Sequence, residues 1–425
     1  MKAIGIDIGT TSVCGVVVDV ERGLVIDSVT KNSDAFTKTE NSWEKIQSVE
    51  KIIAIAKEIL DGFISDDVVA IGVTGQMHGI VYTNVEGDAV SPLYIWQDER
   101  GNLPYKDTTY AKHLNSYSGY GTVTDFYNRE NGIRPDSAVS FCTIHDYFVM
   151  KLCGLKKAIM HSTDAASYGC YDLRENKFNY DVNVDVTADF TVAGTYNGIP
   201  VSVAIGDNQA SVFSTLANEE NILLNVGTGS QISVISDTIA ESDEVETRPY
   251  FDGKYLIVGA ALCGGRAYSV LKNFYKAILS YKEALSDNEV YDIMNKMLSK
   301  EAPCVSVDTR FAGTRKNPDL SGSISEVREE SFTPEAFTKG VLSGMATELY
   351  DMYAQMGVTK SGIVGSGNGV RKNKALVRIF EEKFGGTMKM PVHLEEAAVG
   401  AALFSLVAAG ICETAQDAQK MIKYE

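Results

Sequence analysis

The chain has 425 residues, of which 44% are hydrophobic and 22% charged, and its formal net charge is -17. That length exceeds what one hydrophobic core serves and sets an expectation of two domains. The acidity offers no clustered basic surface to a nucleic acid, and no apolar run reaches the roughly 18 residues of a membrane helix.

In chain order, residues 3–7 and 13–20 read as two β-branched strands joined by a turn at Gly9, Thr10 and Thr11, and residues 25–29 as a third strand. From Trp43 the apolar positions Ile46, Val49, Ile53, Ala56 and Leu60 recur at helical steps and stop at Asp61 and Gly62. Residues 68–73 then read as a buried strand that runs into a loop with Gly75, Gln76, Met77, His78 and Gly79. Residues 97–195 are rich in Tyr, Asn, Gly and Asp with weak periodicity, and are expected to be an insertion that walls a substrate pocket. An apolar run at 203–206 leads into Asp207 and an Ala-containing helix.

The second half repeats the programme. Strands are expected at 222–225, 232–235 and 255–259, with a glycine turn at Gly227, Thr228 and Gly229 and a further pair at Gly264 and Gly265. A helix over 337–356 precedes a strand from Gly362 that runs into Gly367, Asn368 and Gly369, and Glu395 opens a second Ala-rich helix as Asp207 opens the first. The class is α/β, in two diverged copies of one fold with a cleft between them: domains at 1–217 and 218–425, joined by one short hinge near 213–220. The first half is expected to carry the larger insertion.

The seven cysteines form no C-x-x-C pair and are odd in number, which argues against zinc and disulfides and for small core residues. The first residues run straight into a strand pattern without a secretory leader, so a cytoplasmic location is the expectation.

Two facing glycine turns offer backbone N–H groups and hydroxyls to phosphate oxygens. Gly9, Thr10, Thr11, Thr228 and Gly229 are therefore candidate contacts to a nucleotide's phosphates, with Gly264, Gly265, Gly367 and Asn368 beside them. Asp7, at a strand end before the first turn, is placed to organise magnesium or simply to open the turn. Asp207 fits two roles equally: an N-cap, or a base that takes a hydroxyl proton as its oxygen attacks a γ-phosphate. The loops carrying Gln76, Met77 and His78, and Trp96 and Asp98, suit a polyol. His113, His145, His161 and His393 read as ordinary surface or core residues.

Together these segments resemble the FGGY carbohydrate kinases, a branch of the superfamily that includes actin and hexokinase, whose domains are ribonuclease-H-like. The carriers are residues 7–12, 75–79, 96–100, 206–211, 225–229, 365–368 and 396–402. Residues 76–79, Gln97, and the segments 143–154 and 165–169 are most similar to the sedoheptulokinase branch. The resemblance implies a sugar-binding first domain and a nucleotide-binding second one. It further implies ATP and Mg2+ as cofactors, Asp207 as the base and Asp7 at the metal. Gln76, Met77, His78, Trp96, Asp98 and Asn208 would lie at the sugar. The implied reaction is phosphorylation of a ketose's terminal hydroxyl, sedoheptulose first, with xylulose or another pentulose or polyol as the alternative and a switch-type ATPase as a distant rival. Homodimers are common in the family, and no interface is recognisable here. Two departures, a chain shorter than most of the family and no Lys-x-x-Trp segment ahead of Asp146, fall in or near the sugar pocket.

Overall fold

The computed structural model describes residues 1–425. Its chain forms β1 (Lys2–Ile8), β2 (Ser12–Asp19), β3 (Leu24–Asn32), α1 (Val49–Phe63), β4 (Val68–Gly75), α2 (Ile144–Leu152), α3 (Ser162–Ser167), β5 (Val192–Tyr196), β6 (Ile199–Ser202), β7 (Ile205–Gly206) and α4 (Asp207–Thr215). Next come β8 (Asn221–Val226), β9 (Ser230–Ser236), β10 (Tyr255–Ala261), α5 (Gly265–Leu279), α6 (Asp287–Leu298), α7 (Pro334–Ala354), β11 (Gly362–Ser366), α8 (Asn368–Lys372), α9 (Lys374–Phe384) and β12 (Met388–Lys389). A last long helix, α10, spans Glu396–Ala408.

Two compact units result, one made of Met1–Asn218, Arg248–Tyr255 and Val392–Lys423, the other of Glu219–Thr247, Leu256–Pro391 and Tyr424–Glu425. The break after Asn218 falls beside the expected boundary. Assigning all of 218–425 to the second domain needs correction, however, because Arg248–Tyr255 and Val392–Lys423 belong to the first unit. The chain therefore changes unit several times, and a single hinge does not describe it.

The physical reason for the return lies in α10. A Cβ on Gly5 or Gly72 would stand 1.8 Å from the carbonyl oxygen of Ala398 or Ala401, and one on Gly400 would stand 1.8 Å from that of Ala210. Only glycine allows backbones this close. The Ala-rich helix thus lies directly on β1 and β4 and crosses α4, and its sequence matches that surface rather than a second copy of it.

In the first unit the sheet order is β5-β6-β4-β1-β2-β3, with β7 also paired to β4. β1, β2 and β3 are antiparallel neighbours, while β4 runs parallel to β1 and to β6 and β7. Strands β1 and β4 are apolar almost throughout, as expected of strands covered on both faces. The core joins Ile4, Ile6, Ile71 and Val73 to Ile52 and Leu60 of α1. Helix α1 begins at Val49, since Ser48 caps it by accepting from Lys51 N; Trp43 and Ile46 precede it.

Residues 97–195 are less irregular than their composition suggests. Phe141, Phe148, Met160 and Tyr168 are buried in the same core as Ile4 and Ile71, and the segment ends in β5 at the sheet edge.

The second unit repeats the strand programme with β10-β9-β8-β11-β12 as successive neighbours, β8 and β9 antiparallel and β8, β11 and β12 parallel. It has an insertion of its own, between β10 and β11, that contains α5, α6 and α7. Helices α5 and α6 were not anticipated from sequence. Cys14, Cys142 and Cys263 are buried as expected, whereas Cys304 is exposed. No helix is long and apolar enough to cross a membrane.

Candidate active site

In the first unit, register brings three parallel strands to a common end. Asp7 of β1 and Ile205 of β7 both pair with Thr74 of β4, and Gly206 pairs with Gly75. Asp7, Gln76 and Asp207 therefore emerge together at the carboxyl edge of the sheet, where open α/β sheets bind ligands. The cap of α4 is Gly206, which has no side chain to cap with, and Asp207 is the first helical residue. The N-cap role is thereby excluded for Asp207.

Both carboxyls are shifted toward neutrality. Burial, then the charge of Asp207 and of Glu395, pushes Asp7 up to about 7 against the opposing pull of His145. Burial likewise pushes Asp207 up to about 6, opposed by His145, by a bond to the Asn208 backbone and by Arg248. Asp7 Oδ1 is buried without a hydrogen-bond partner. An orphaned anionic oxygen beside further carboxylates is what a divalent cation would satisfy, so this site fits one.

Around this edge the candidate sugar residues divide into two sets. Gln76 is buried and holds a network: its Nε2 donates to Gln47 Oε1 at 3.0 Å, and its Oε1 accepts from Thr10 Oγ1 at 3.2 Å. Trp96 Nε1 donates to the same Thr10 hydroxyl at 3.0 Å, while the indole stays 46% exposed. Thr10 thus ties the first turn to the Trp96 loop. His78 adopts φ 75, a backbone cost for a non-glycine residue, and its Nδ1 donates to Ser167 O at 2.6 Å. The ring stacks on Tyr120, centroids 4.3 Å apart. Met77 is buried and fills the space beside Gly206 at the root of Asp207.

Asp98 departs from its expected place at the sugar. It is 1% exposed, and its carboxylate accepts from Arg100 Nε at 2.6 Å, Arg100 Nη2 at 3.0 Å and Lys45 N at 2.9 Å. Its capacity is spent on holding the loop, with the Arg100 guanidinium stacked 4.3 Å over the Tyr94 ring. Asn208 Oδ1 accepts from Arg248 Nη1 at 3.0 Å.

In the second unit a cavity of about 910 Å³ is lined by Gly227, Thr228, Gly265, Gly367 and Asn368. Gly265 N donates to Gly227 O and Arg266 N to Thr228 O, both at 2.9 Å, so the start of α5 docks onto the β8–β9 turn. Gly264 is packed behind that turn, where a Cβ would meet Gly229 at 2.3 Å. Gly229 and Gly264 therefore build the wall without lining the cavity. Tyr268 and Tyr291 stack at its rim, centroids 5.7 Å apart, beside Asn288 and Asp292. Gly9, Thr10 and Thr11 belong to the other unit.

Residues 2–188 match the sequence profile described as the FGGY family of carbohydrate kinases, N-terminal domain. Over that stretch the chain carries the N-terminal domain of the FGGY carbohydrate kinases. The kinase is 28% identical to sedoheptulokinase of Mus musculus over 95% of this chain and 97% of that one. In fold it superposes on the xylulose kinase of Rhodospirillum rubrum with a TM-score of 0.84 at 18% identity, covering 100% of this chain and 93% of that chain. It also superposes on Plasmodium falciparum glycerol kinase with ADP, with a TM-score of 0.79 at 15% identity, covering 99% and 92%. These superpositions show the fold, α/β with one large mixed sheet in each unit.

Sequence reasoning missed four residues that neighbour the candidate site: Gln47, Tyr120, His145 and Arg248. Each lies far in sequence from the residues it serves, and none carries a local motif. Only Tyr120 had a signal, as one of several aromatics next to glycines.

Proposed function

We propose that this ATP-dependent sugar kinase phosphorylates the terminal primary hydroxyl of a ketose, with sedoheptulose as substrate and Asp207 as general base. The observation that carries the reading is the level ending of β1, β4 and β7, which sets Asp7 and Asp207 at one edge of the sheet. A carboxylate whose pKa is near 6 is ionised at neutral pH, yet is basic enough to draw off a hydroxyl proton as the phosphoryl group transfers. Asp7 would hold a magnesium ion, which supplies charge neutralisation on the phosphates. Positioning does the rest: the stacked His78 and Tyr120 rings and the exposed Trp96 indole offer faces to the sugar, and the Gln47, Gln76 and Thr10 network fixes the loop beneath them.

Likeness to sedoheptulokinase over 95% of the chain supports the substrate. Likeness in fold to xylulose kinase supports a pentulose as the second reading. The cavity beside Thr228 and Gly265 would take the nucleotide, and the expected site of action is the cytoplasm.

The test is ADP release from purified protein with ATP and magnesium across sedoheptulose, xylulose, ribulose, fructose, glycerol and no sugar. Stimulation by sedoheptulose above the others is expected. Stimulation by xylulose instead keeps the chemistry and replaces the substrate; sugar-independent ATP hydrolysis at a matching rate overturns the kinase reading. Asp207→Ala is expected to lower turnover by about 100- to 10,000-fold while leaving ATP binding intact, and near-full turnover removes its role as base.

A further inference from the structure

Asn208 shares the open face of α4 with Asp207. Both are half-buried, as is Ser211 one turn later, while Gln209, Ala210 and residues 212–215 are buried. A side-chain amide can turn either end toward a ligand, and the two ends read opposite chemistry: Oδ1 accepts and Nδ2 donates. At Asn208 the choice is made by Arg248, whose Nη1 donates to Oδ1 at 3.0 Å. A guanidinium carries donors only, so the oxygen must face it. Nδ2 is left without a protein partner.

The arginine comes from a well-anchored segment. Arg248–Tyr255 belongs to the first unit, although the residues on either side of it belong to the second. Pro249 O accepts from Gln209 Nε2 at 3.1 Å, which ties the residue after Arg248 to the residue after Asn208. Tyr250 and Phe251 are buried, and the Phe251 ring lies against Phe213 of α4 and Phe404 of α10, centroids 5.1 and 5.2 Å apart. Asp252 and Gly253, both at positive φ, then turn the chain back, and Tyr250 N donates to Lys254 O at 2.9 Å. Two buried aromatic residues and a side chain–backbone bond thus fix the point from which the guanidinium reaches Asn208.

We infer that Arg248 is a positioning residue that turns the Asn208 amide so that its N–H donors meet an oxygen of the sugar beside the hydroxyl that is phosphorylated. The inference rests on the reading of the Asp207 edge as the sugar site. Arg248 acts on sugar selection through Asn208: a donor held in one orientation favours a ligand with a hydroxyl or carbonyl oxygen at that point, and without the guanidinium the amide is free to rotate.

A double-mutant cycle tests it, read as kcat/KM for the sugar. Arg248→Ala is expected to lower this about tenfold and Asn208→Ala about thirtyfold, chiefly through KM for the sugar, with KM for ATP unchanged. The double variant is expected to be no worse than Asn208→Ala alone. Losses that multiply to about 300-fold overturn the inference, because an effect of the guanidinium's charge on Asp207 would persist without the amide. Should Arg248→Ala not fold, a crystal structure of the wild-type protein with its sugar decides. Nδ2 within hydrogen-bond distance of a sugar oxygen, with Oδ1 still on Arg248, supports the inference; an amide turned away from the sugar overturns it. If no sugar is phosphorylated, the proposed function fails, and the structure of Arg248→Ala still judges the positioning step, which falls if the Asn208 amide keeps its wild-type orientation.

Discussion

Asp7 and Asp207 give the protein two half-buried carboxyls that bind protons near neutral pH, and this has opposite consequences for folding and for turnover. An unfolded Asp titrates near 3.9, below the folded values of about 7 for Asp7 and about 6 for Asp207. Between those limits the folded protein binds more protons than the unfolded one, so these groups lower its stability as pH rises from about 4 to about 7. Asp7→Asn removes one of them. Its melting temperature is expected to exceed that of ligand-free wild type at pH 8, with the gap closing toward pH 5; an equal gap at both values counts against an ionisable Asp7 in the fold. Turnover runs the other way: wild-type kcat/KM is expected to fall as pH drops below about 6, where Asp207 gains its proton. Asp7, Gln76 and Asp207 were legible in the sequence because each sits next to a strand end that hydrophobic runs and glycines mark. His145 and Arg248 were not, since only strand register and helix packing bring them to that edge. Asp98 was misplaced for a related reason: its neighbours Trp96 and Arg100 carry the same motif whether its carboxylate faces a ligand or a guanidinium.

At the scale of elements, α10 shows how much depends on side chains that are absent. Because a Cβ on Gly72 would meet the backbone oxygen of Ala401, the neighbour cannot yield by rotating a side chain. Gly72→Val is expected to destabilise the protein by about 3 kcal/mol or more, at the upper end of overpacking costs, measured as a shift in the urea midpoint. Gly62→Ala is the control: nothing lies within 4 Å of a Cβ there, so its midpoint should stay or rise slightly. The hairpin β1–β2, the strand β4 and the helix α7 were readable from periodicity within a residue or a few. Helices α5 and α6 escaped because a stripe of exposed apolar residues, Val270, Phe274 and Ile278, blurs the pattern on α5, and because α6 buries only Val290 and Met294. The start of α1 was placed too early, at an aromatic and an isoleucine that continue the helical spacing by coincidence; Ser48 was the better signal.

For the whole molecule, duplication of one strand programme with different insertions divides the work expected of each unit. Hydrogen exchange gives the test. ATP alone is expected to slow exchange in 265–298 and 367–373, and sedoheptulose alone in 76–78 and 96–120; protection of the same segments by both ligands would contradict the division. The duplication itself was legible in the paired glycine turns, but the ownership of the last helix was not, because an Ala-rich segment fits either sheet until the glycines opposite it are seen. That ownership bears on how the protein is made. Strands β1 and β4 leave the ribosome early, whereas the helix that covers them is synthesised only after nearly all of the second unit. Chains usually fold domain by domain from the N-terminus during synthesis. Here the glycine-lined face of the first unit waits uncovered until the helix from Glu396 has been made, so a chain cut short before residue 396 is expected to leave β1 and β4 without their cover.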